Sequence, residues 1–188
     1  NIKVLYEDNH IIAVYKPAGV LVQKDETGSR VLTEEVKKYL KEKYKKPGNV
    51  FLGIVHRLDR NVSGIVLFGK TSKGASRLSE QFRNREIKKI YHAVVEGELK
   101  DKSGKLIHYS KKDESTRKAL ISNTPQEGYD TMELDYDVVR SNNKYSLVKI
   151  DLKTGKFHQI RAQFSVIGHP IVGDAKYGFK IKDLRFKN

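Results

Sequence analysis

One short stretch of the sequence concentrates the side chains that could do chemistry. From Gly53 to Gly64 it passes from apolar residues into a histidine, two arginines and an aspartate, and then into turn-forming residues. The flanking guanidinium groups would keep Asp59 ionised, as a nucleophilic carboxylate must be, and could also bind a phosphate or a base. An aspartate that caps a turn and pairs with a neighbouring arginine looks the same in sequence. Because structural ion pairs are commoner than active sites, the residues alone favour that second interpretation.

The net charge indicates a polyanionic partner. Lysine and arginine number 37 against 23 acidic residues, which gives a formal charge of +14 over 188 residues. Such an excess can displace counterions from a phosphate backbone, so nucleic acid is the preferred partner. Anionic lipid and an ordinary lysine-rich surface remain alternatives.

Several function classes are excluded by what the sequence lacks. There is no cysteine, and the six histidines show no paired ligand spacing, so no metal and no cofactor are predicted. His56 to Asp59 resembles a kinase loop with the aspartate one position late, and Gly97 to Lys105 is two residues too long for a P-loop. No apolar run approaches 20 residues and no secretory signal is present, so a cytoplasmic protein without a membrane segment is expected.

The elements that must position these residues can be inferred from hydrophobic periodicity. Thr33 and Ser72 are candidate N-caps, and Gly168 is placed to end the last helix. Strands outnumber helices and do not alternate with them, which favours an α+β fold with a large, mainly antiparallel sheet in one domain over residues 1–188. Strands are predicted at residues 2–6, 11–15, 65–68, 90–95, 132–138 and 148–152, and helices at 32–44, 72–82 and 157–167.

Four blocks, in order along the chain, resemble the RluA family of pseudouridine synthases. Gly53 to Gly64 is similar to its His-Arg-Leu-Asp loop, and Glu7 to Gly19 to its opening strand and Lys-Pro-Ala-Gly turn. Lys89 to Gly97 resembles its Lys-x-Tyr strand, and Lys153 to Asp174 contains a close relative of Thr-Gly-Arg-x-His-Gln-Ile-Arg. The resemblance implies the pseudouridine synthase fold, a mixed, mainly antiparallel sheet flanked by helices around a catalytic cleft. It also implies a stand-alone catalytic domain without the N-terminal RNA-binding domain of many members.

The resemblance assigns catalytic roles to three residues. Asp59 corresponds to the family nucleophile, which attacks a uridine flipped out of folded RNA. Tyr91 corresponds to the aromatic partner that stacks on the uracil, although without the resemblance it would be taken for a core tyrosine. Arg161 corresponds to the arginine that pairs with the catalytic aspartate and keeps its pKa low; on its own it could equally lie on a helix surface.

Three further residues are expected to bind the substrate. Arg57 resembles the residue that occupies the space left by the flipped nucleotide, and His56 either assists it or makes a structural hydrogen bond. Ile160 would provide an apolar wall beside the base, although helical spacing also suits a simple core residue.

The expected function is therefore isomerisation of uridine to pseudouridine in ribosomal or transfer RNA, by a monomer. A non-catalytic RNA-binding domain of the same fold is the first alternative. The second is a carboxylate glycosidase acting on another base or sugar. Glycosidases usually use two carboxylates about 5–10 Å apart, and no acidic partner of Asp59 is evident in the sequence.

Overall fold

The computed structural model describes residues 2–24 and 28–180. The chain divides into two compact units, Asn1–Ile87 and Lys88–Asn188. The two are described separately below, and the expectation of one domain over residues 1–188 stays a prediction. No helix among the described residues is long and apolar enough to cross a membrane.

The first unit is an antiparallel sheet with two helices. Its strands are hydrogen-bonded in the order β1-β2-β4-β3. Alternate residues of β2 and β4, such as Ile12, Val14 and Phe68, are fully buried and pack with Val36 and Leu40 of the first helix. The elements are β1 Lys3–Glu7, β2 Ile11–Lys16, α1 Leu32–Lys43, β3 Gly53–Ile54, β4 Gly64–Gly69 and α2 Ser72–Arg83.

The second unit is a five-stranded antiparallel sheet packed against one helix. Its strand order is β5-β9-β8-β6-β7. The core contains Leu134, Val148 and Ile150, and the Phe164 ring of α3 meets Tyr136 edge to face at 5.7 Å between centroids. The elements are β5 Ile90–Glu96, β6 Ser103–Asp113, β7 Lys118–Ser122, β8 Asp130–Ser141, β9 Tyr145–Leu152, α3 Gln159–Val166 and a 3₁₀ turn Ala175–Tyr177.

The α+β class and the predominance of antiparallel pairing are confirmed, since every strand ladder in both sheets is antiparallel. The predicted large sheet is two sheets, of four and five strands.

Both predicted N-caps are wrong. The residue before α1 is Val31, and Thr33 is buried inside the helix; α2 is capped by Thr71, whose hydroxyl accepts the amide hydrogen of Gly74.

One buried carboxylate, that of Glu7, connects several elements of the first unit. Glu7, the last residue of β1, accepts hydrogen bonds from Lys70 (2.7 Å), Lys43 (2.8 Å), Tyr44 (2.6 Å) and Tyr39 (3.0 Å). Burial alone would raise the pKa of this carboxyl, but the four donors outweigh it and lower the pKa to about 2. The carboxylate therefore links β1 to the end of α1 and to the residue after β4.

Replacing Glu7 is expected to remove part of the acid sensitivity of the fold. Because its folded pKa of about 2 lies below its ordinary value of 4.5, Glu7 stabilises the protein above about pH 5, and this stabilisation is lost as the pH falls towards 2. The contribution is about 3 kcal/mol. Urea unfolding across this pH range should show a shallower pH dependence for Glu7→Gln than for the wild type.

Glu42→Gln is the matched control, since Glu42 is exposed and lies 3.9 Å from Lys38. It should follow the wild-type curve. Parallel curves for Glu7→Gln and the wild type would contradict the assigned role.

Candidate active site

Asp59 lies in the loop that connects two neighbouring antiparallel strands. β3 pairs with the far end of β4 through Gly53 with Gly69 and Ile54 with Phe68, so residues 55–63 form a wide connection between them. The amide of Val62 donates to the Asp59 carbonyl at 3.1 Å, which starts a turn at the aspartate itself. Asp59 is half-buried. The sheet thus presents the carboxylate at the edge of a loop that is anchored at both ends.

A buried lysine, Lys16, stabilises the β3–β4 loop through hydrogen bonds to backbone carbonyl groups. Lys16, at the end of β2, is 0% exposed, and its ammonium donates to the carbonyl oxygens of Val20 (2.7 Å), Arg60 (3.0 Å) and Pro17 (3.1 Å). Burial lowers the pKa of Lys16, and the negative charge of Asp59 opposes that effect. The sequence marked this lysine only as part of a turn, but it places a fixed positive charge within the electrostatic reach of the candidate nucleophile.

His56 has a structural contact within the loop. Its Nε2 accepts the amide hydrogen of Leu67 at 2.9 Å, and its ring lies 4.8 Å from that of Phe82 in α2. An accepting Nε2 means that this nitrogen carries no proton. Arg57, the next residue, is exposed. The structure therefore gives His56 the hydrogen-bonding role that was one of its two predicted roles, and leaves the Arg57 guanidinium at the surface of the loop.

In the second unit, two predicted residues meet the same core. Tyr91 of β5 pairs in register with Ile150 of β9, and Tyr91 and Ile160 of α3 both pack as half-buried residues against the cluster that contains Phe164. The sheet and the helix thus bring the predicted stacking residue and the predicted apolar wall to one cluster.

Arg161 is held by two residues that the sequence reasoning did not assign. Its Nε and one terminal nitrogen donate to the two carboxylate oxygens of Asp174, at 2.6 and 3.0 Å, and the Tyr177 ring lies 4.9 Å from its central carbon. Asp174 is buried to 10% side-chain exposure. A bidentate carboxylate of this kind fixes the plane of a guanidinium group. The sequence signal that could have identified Asp174 and Tyr177 is the pair of motifs Gly173-Asp174 and Tyr177-Gly178, which follow α3.

Tyr177 is fixed in turn through its hydroxyl group. The hydroxyl accepts the amide hydrogen of Ala119 in β7 at 2.8 Å and lies 2.8 Å from Nδ1 of His158. His158 precedes α3 with a left-handed φ of 51°, which explains why the helix begins at Gln159 and leaves the predicted helical residue Phe157 outside. The ring under Arg161 is therefore tied to both the sheet and the start of α3.

The predicted residues fall into two groups. His56, Arg57 and Asp59 share the β3–β4 loop of the first unit, while Tyr91, Ile160 and Arg161 lie on β5 and α3 of the second. The pairing of Asp59 with Arg161 stays a prediction. Among the described residues, no group of three or more His, Asp or Glu side chains is placed to hold a metal ion.

Comparison with known proteins gives a consistent result. Residues 10–166 match the model of the RNA pseudouridylate synthase family. The chain is 33% identical over 180 residues to YhcT of Bacillus subtilis, named an uncharacterized RNA pseudouridine synthase, which covers 93% of this chain and 57% of that protein. It is 33% identical over 192 residues to tRNA pseudouridine synthase C of Salmonella typhimurium, covering 94% of this chain and 70% of that one.

Other relatives widen the range of named substrates and show the fold. Ribosomal large subunit pseudouridine synthase C of Buchnera aphidicola is 32% identical over the whole chain, which spans 58% of that protein. The solved structure of human RNA pseudouridylate synthase domain containing 4 has a TM-score of 0.78 at 22% identity and covers 93% of this chain and 68% of its own. The chain thus spans little more than half the length of several curated relatives.

Replacing the buried ammonium should loosen the Asp59 loop. Lys16→Met removes the ammonium donor from three carbonyl oxygens, of which that of Arg60 keeps the Gly19 amide, and we expect a loss of about 2 kcal/mol in the free energy of unfolding. Hydrogen exchange at the amides of Gly19 and Val62, which donate to Arg60 and Asp59, should become faster. Lys24→Met makes the same chemical change at an exposed position and should alter stability by less than about 0.5 kcal/mol. Equal effects of the two substitutions would show that Lys16 does not brace the loop.

Removing the charge of Asp174 should release Arg161. Asp174→Asn breaks a partly buried, bidentate pair, and we expect a loss of about 2 kcal/mol in urea unfolding. The NMR signal of the Arg161 Nε–H should also exchange faster with water.

Asp130→Asn is the control for Asp174→Asn. Asp130 pairs with Lys156 at 3.2 Å but is 68% exposed, so less than about 0.5 kcal/mol should be lost. An unchanged exchange rate of the Arg161 Nε–H in Asp174→Asn would show that Asp174 does not hold the Arg161 guanidinium.

Proposed function

Since the chain belongs to the RNA pseudouridylate synthase family, we propose that it isomerises uridine to pseudouridine in RNA with Asp59 as the nucleophile. The observation that carries the proposal is the loop geometry, in which a half-buried aspartate is presented on a braced turn between two strands. A rigid element of this kind is what a nucleophile needs, because small displacements of a reacting group cost large factors in rate.

The reaction itself requires only groups that side chains can supply. The N1–C1′ bond of uridine breaks, a C5–C1′ bond forms, and the hydrogen on C5 moves to N1 by way of solvent. Nothing is oxidised and no group is added, so the atoms balance without a co-reactant. In our proposal the Asp59 carboxylate attacks C1′ or C6 and forms a covalent adduct, which divides one difficult exchange into two steps. The Asp59 carboxylate is released from the adduct when the uracil rejoins the sugar through C5.

The second group of residues would receive the flipped base. In this proposal Tyr91 stacks on the uracil and takes the C5 proton, and Ile160 provides the apolar wall beside the base. Arg161 donates hydrogen bonds to the Asp59 carboxylate and orients it for attack. Arg57 fills the space left in the RNA by the flipped nucleotide.

The face of the second sheet opposite α3 carries paired charges. Tyr136 faces α3, and its neighbours Asp135 and Asp137 point to the opposite face because strand residues alternate. Asp151 lies beside Asp135 on that same face, and Lys153 bridges the two at 2.6 and 3.2 Å. Lys105 pairs with Glu133 of the same face at 2.6 Å, so lysines match these carboxylates and the face carries mixed charge.

The substrate is proposed to be ribosomal or transfer RNA, as relatives named for each occur at similar identity. A monomer in the cytoplasm is part of the same proposal. The net charge of +14 is consistent with binding of folded RNA largely through phosphates.

Substitution of the nucleophile tests the proposal against a non-catalytic RNA-binding domain. We expect Asp59→Asn to reduce tritium release from RNA that contains 5-tritiated uridine by at least roughly a thousandfold, with RNA affinity within a few-fold of the wild type. Asp137→Asn, an exposed strand residue, should release tritium at the wild-type rate. Absence of release by the wild type from total rRNA and tRNA lacking the modification would favour the non-catalytic alternative, and free uracil among the products would indicate a glycosidase.

A further inference from the structure

A cationic cavity lies in the first unit, apart from the Asp59 loop. Its volume is about 180 Å³, and it is bounded by the turn between β1 and β2 and by one face of α2. Ile11 lines it at the start of β2, whereas Lys16, which braces the Asp59 loop, ends the same strand. Five steps along a strand correspond to roughly 17 Å. The cavity is therefore separate from the candidate nucleophile.

The helix approaches the turn closely at a glycine. A Cβ at Gly74 would lie 2.5 Å from the carbonyl oxygen of His10, so any other residue there would push α2 away from the turn. Leu78, one turn further along, is buried and forms an apolar floor with Ile11. The cavity is thus built by close packing of helix and turn rather than by a chance gap between long side chains.

The rim of the cavity is positively charged. Lys73, Arg77 and Gln81 follow one another at intervals of four residues on one face of α2, and His10 faces them from the turn. No acidic residue lines the cavity. In the described part of the chain, no carboxylate lies within ion-pair distance of Lys73 or Arg77.

Two acids are close to the rim in sequence, Glu80, which follows Arg77 by three residues but does not line the cavity, and Asp8, which other groups engage. The Asp8 carboxylate accepts the amide hydrogens of His10 and Ile11 at 2.7 Å each, and the hydroxyl of Tyr6 at 3.1 Å. Two like charges four residues apart on a helix destabilise it slightly. An anion bound between them would remove that destabilisation.

We propose that this cavity binds a backbone phosphate of the RNA at a nucleotide other than the target uridine. The Lys73 and Arg77 side chains contact the phosphate oxygens, Gln81 and His10 add hydrogen bonds, and the attached sugar rests on Ile11 and Leu78. The volume equals that of about six water molecules, which suits one phosphate and part of its sugar. This inference rests on the proposed function in taking RNA as the source of the phosphate.

The salt dependence of RNA binding tests the site. In an Asp59→Asn background, the double variant Lys73→Gln and Arg77→Gln should bind a uridine-containing RNA stem–loop about tenfold more weakly at 0.1 M salt. The slope of log K against log salt should fall in magnitude by about 1, as the contact with one phosphate is lost. The matched control is Lys144→Gln with Lys149→Gln, both exposed residues of the second unit, which should change affinity less than about twofold.

Each outcome of the salt-dependence measurement either supports or overturns the phosphate site. A tenfold loss confined to the α2 pair supports the site. An equal loss in both pairs means that only general charge attraction is at work, and no loss in the α2 pair means that RNA does not contact the cavity; either result overturns the proposal.

An NMR titration shows whether the cavity binds a phosphate of the RNA or a free anion. The amide signals of Gly74 and Arg77 should shift with the stem–loop at micromolar concentration and not at all in the α2 double variant. Inorganic phosphate should shift them only at millimolar concentration and should compete with the RNA. If phosphate shifts these signals while the RNA leaves them unchanged, the cavity binds a small anion and the RNA proposal is overturned.

Failure of the site and failure of the proposed function give different results. Tritium release by the wild type with unchanged RNA binding by the α2 double variant would reject the site alone. Site-dependent RNA binding without tritium release by the wild type would reject the catalytic proposal and leave the phosphate site in place.

Discussion

The first unit depends on the ammonium of Lys16, a full charge with no exposed surface. A buried charge is tolerated only where its hydrogen-bonding capacity is satisfied, and Lys16 has three donors and three carbonyl acceptors. Those acceptors come from the turn after β2 (Pro17 and Val20) and from the β3–β4 loop (Arg60), which are at least 40 positions apart in the sequence. The requirement to satisfy one ammonium therefore fixes the backbone on both sides of Asp59, and the loop cannot move without exposing or orphaning that charge.

The second unit also contains a partly buried cation, Arg161, but a carboxylate holds it instead of backbone carbonyl groups. Asp174 engages one edge of the guanidinium with both of its carboxylate oxygens, which fixes the direction of every N–H of this planar group. Tyr177 supports the same group from its face. The two units thus each contain one charged group whose orientation is fixed by residues that take no part in chemistry.

How much of this could be read from the sequence depended on how local the signal was. Strands such as β2 and β4 and the helix α1 were predicted because their apolar periodicity is a property of a few neighbouring residues. β6 was missed because Leu106 and Ile107 are adjacent and polar residues surround them, and its stability comes from pairing with β8 on one side and β7 on the other. The caps failed by one or two positions for a similar reason: Thr33 packs into the core, a tertiary contact that overrides its local preference for a helix start.

The site was predictable only where a family motif carried it. Asp59, Tyr91 and Arg161 were assigned by resemblance, because an aspartate, a tyrosine and an arginine have commoner structural uses. The supporting residues Lys16 and Asp174 stand inside recognisable blocks, yet nothing in their spacing says which atoms they bind. Their roles follow from long-range geometry, since Lys16 contacts a carbonyl 44 residues away and Asp174 an arginine 13 residues away. Sequence patterns record which groups a reaction needs; the contacts that orient those groups emerge only when distant segments are folded against one another.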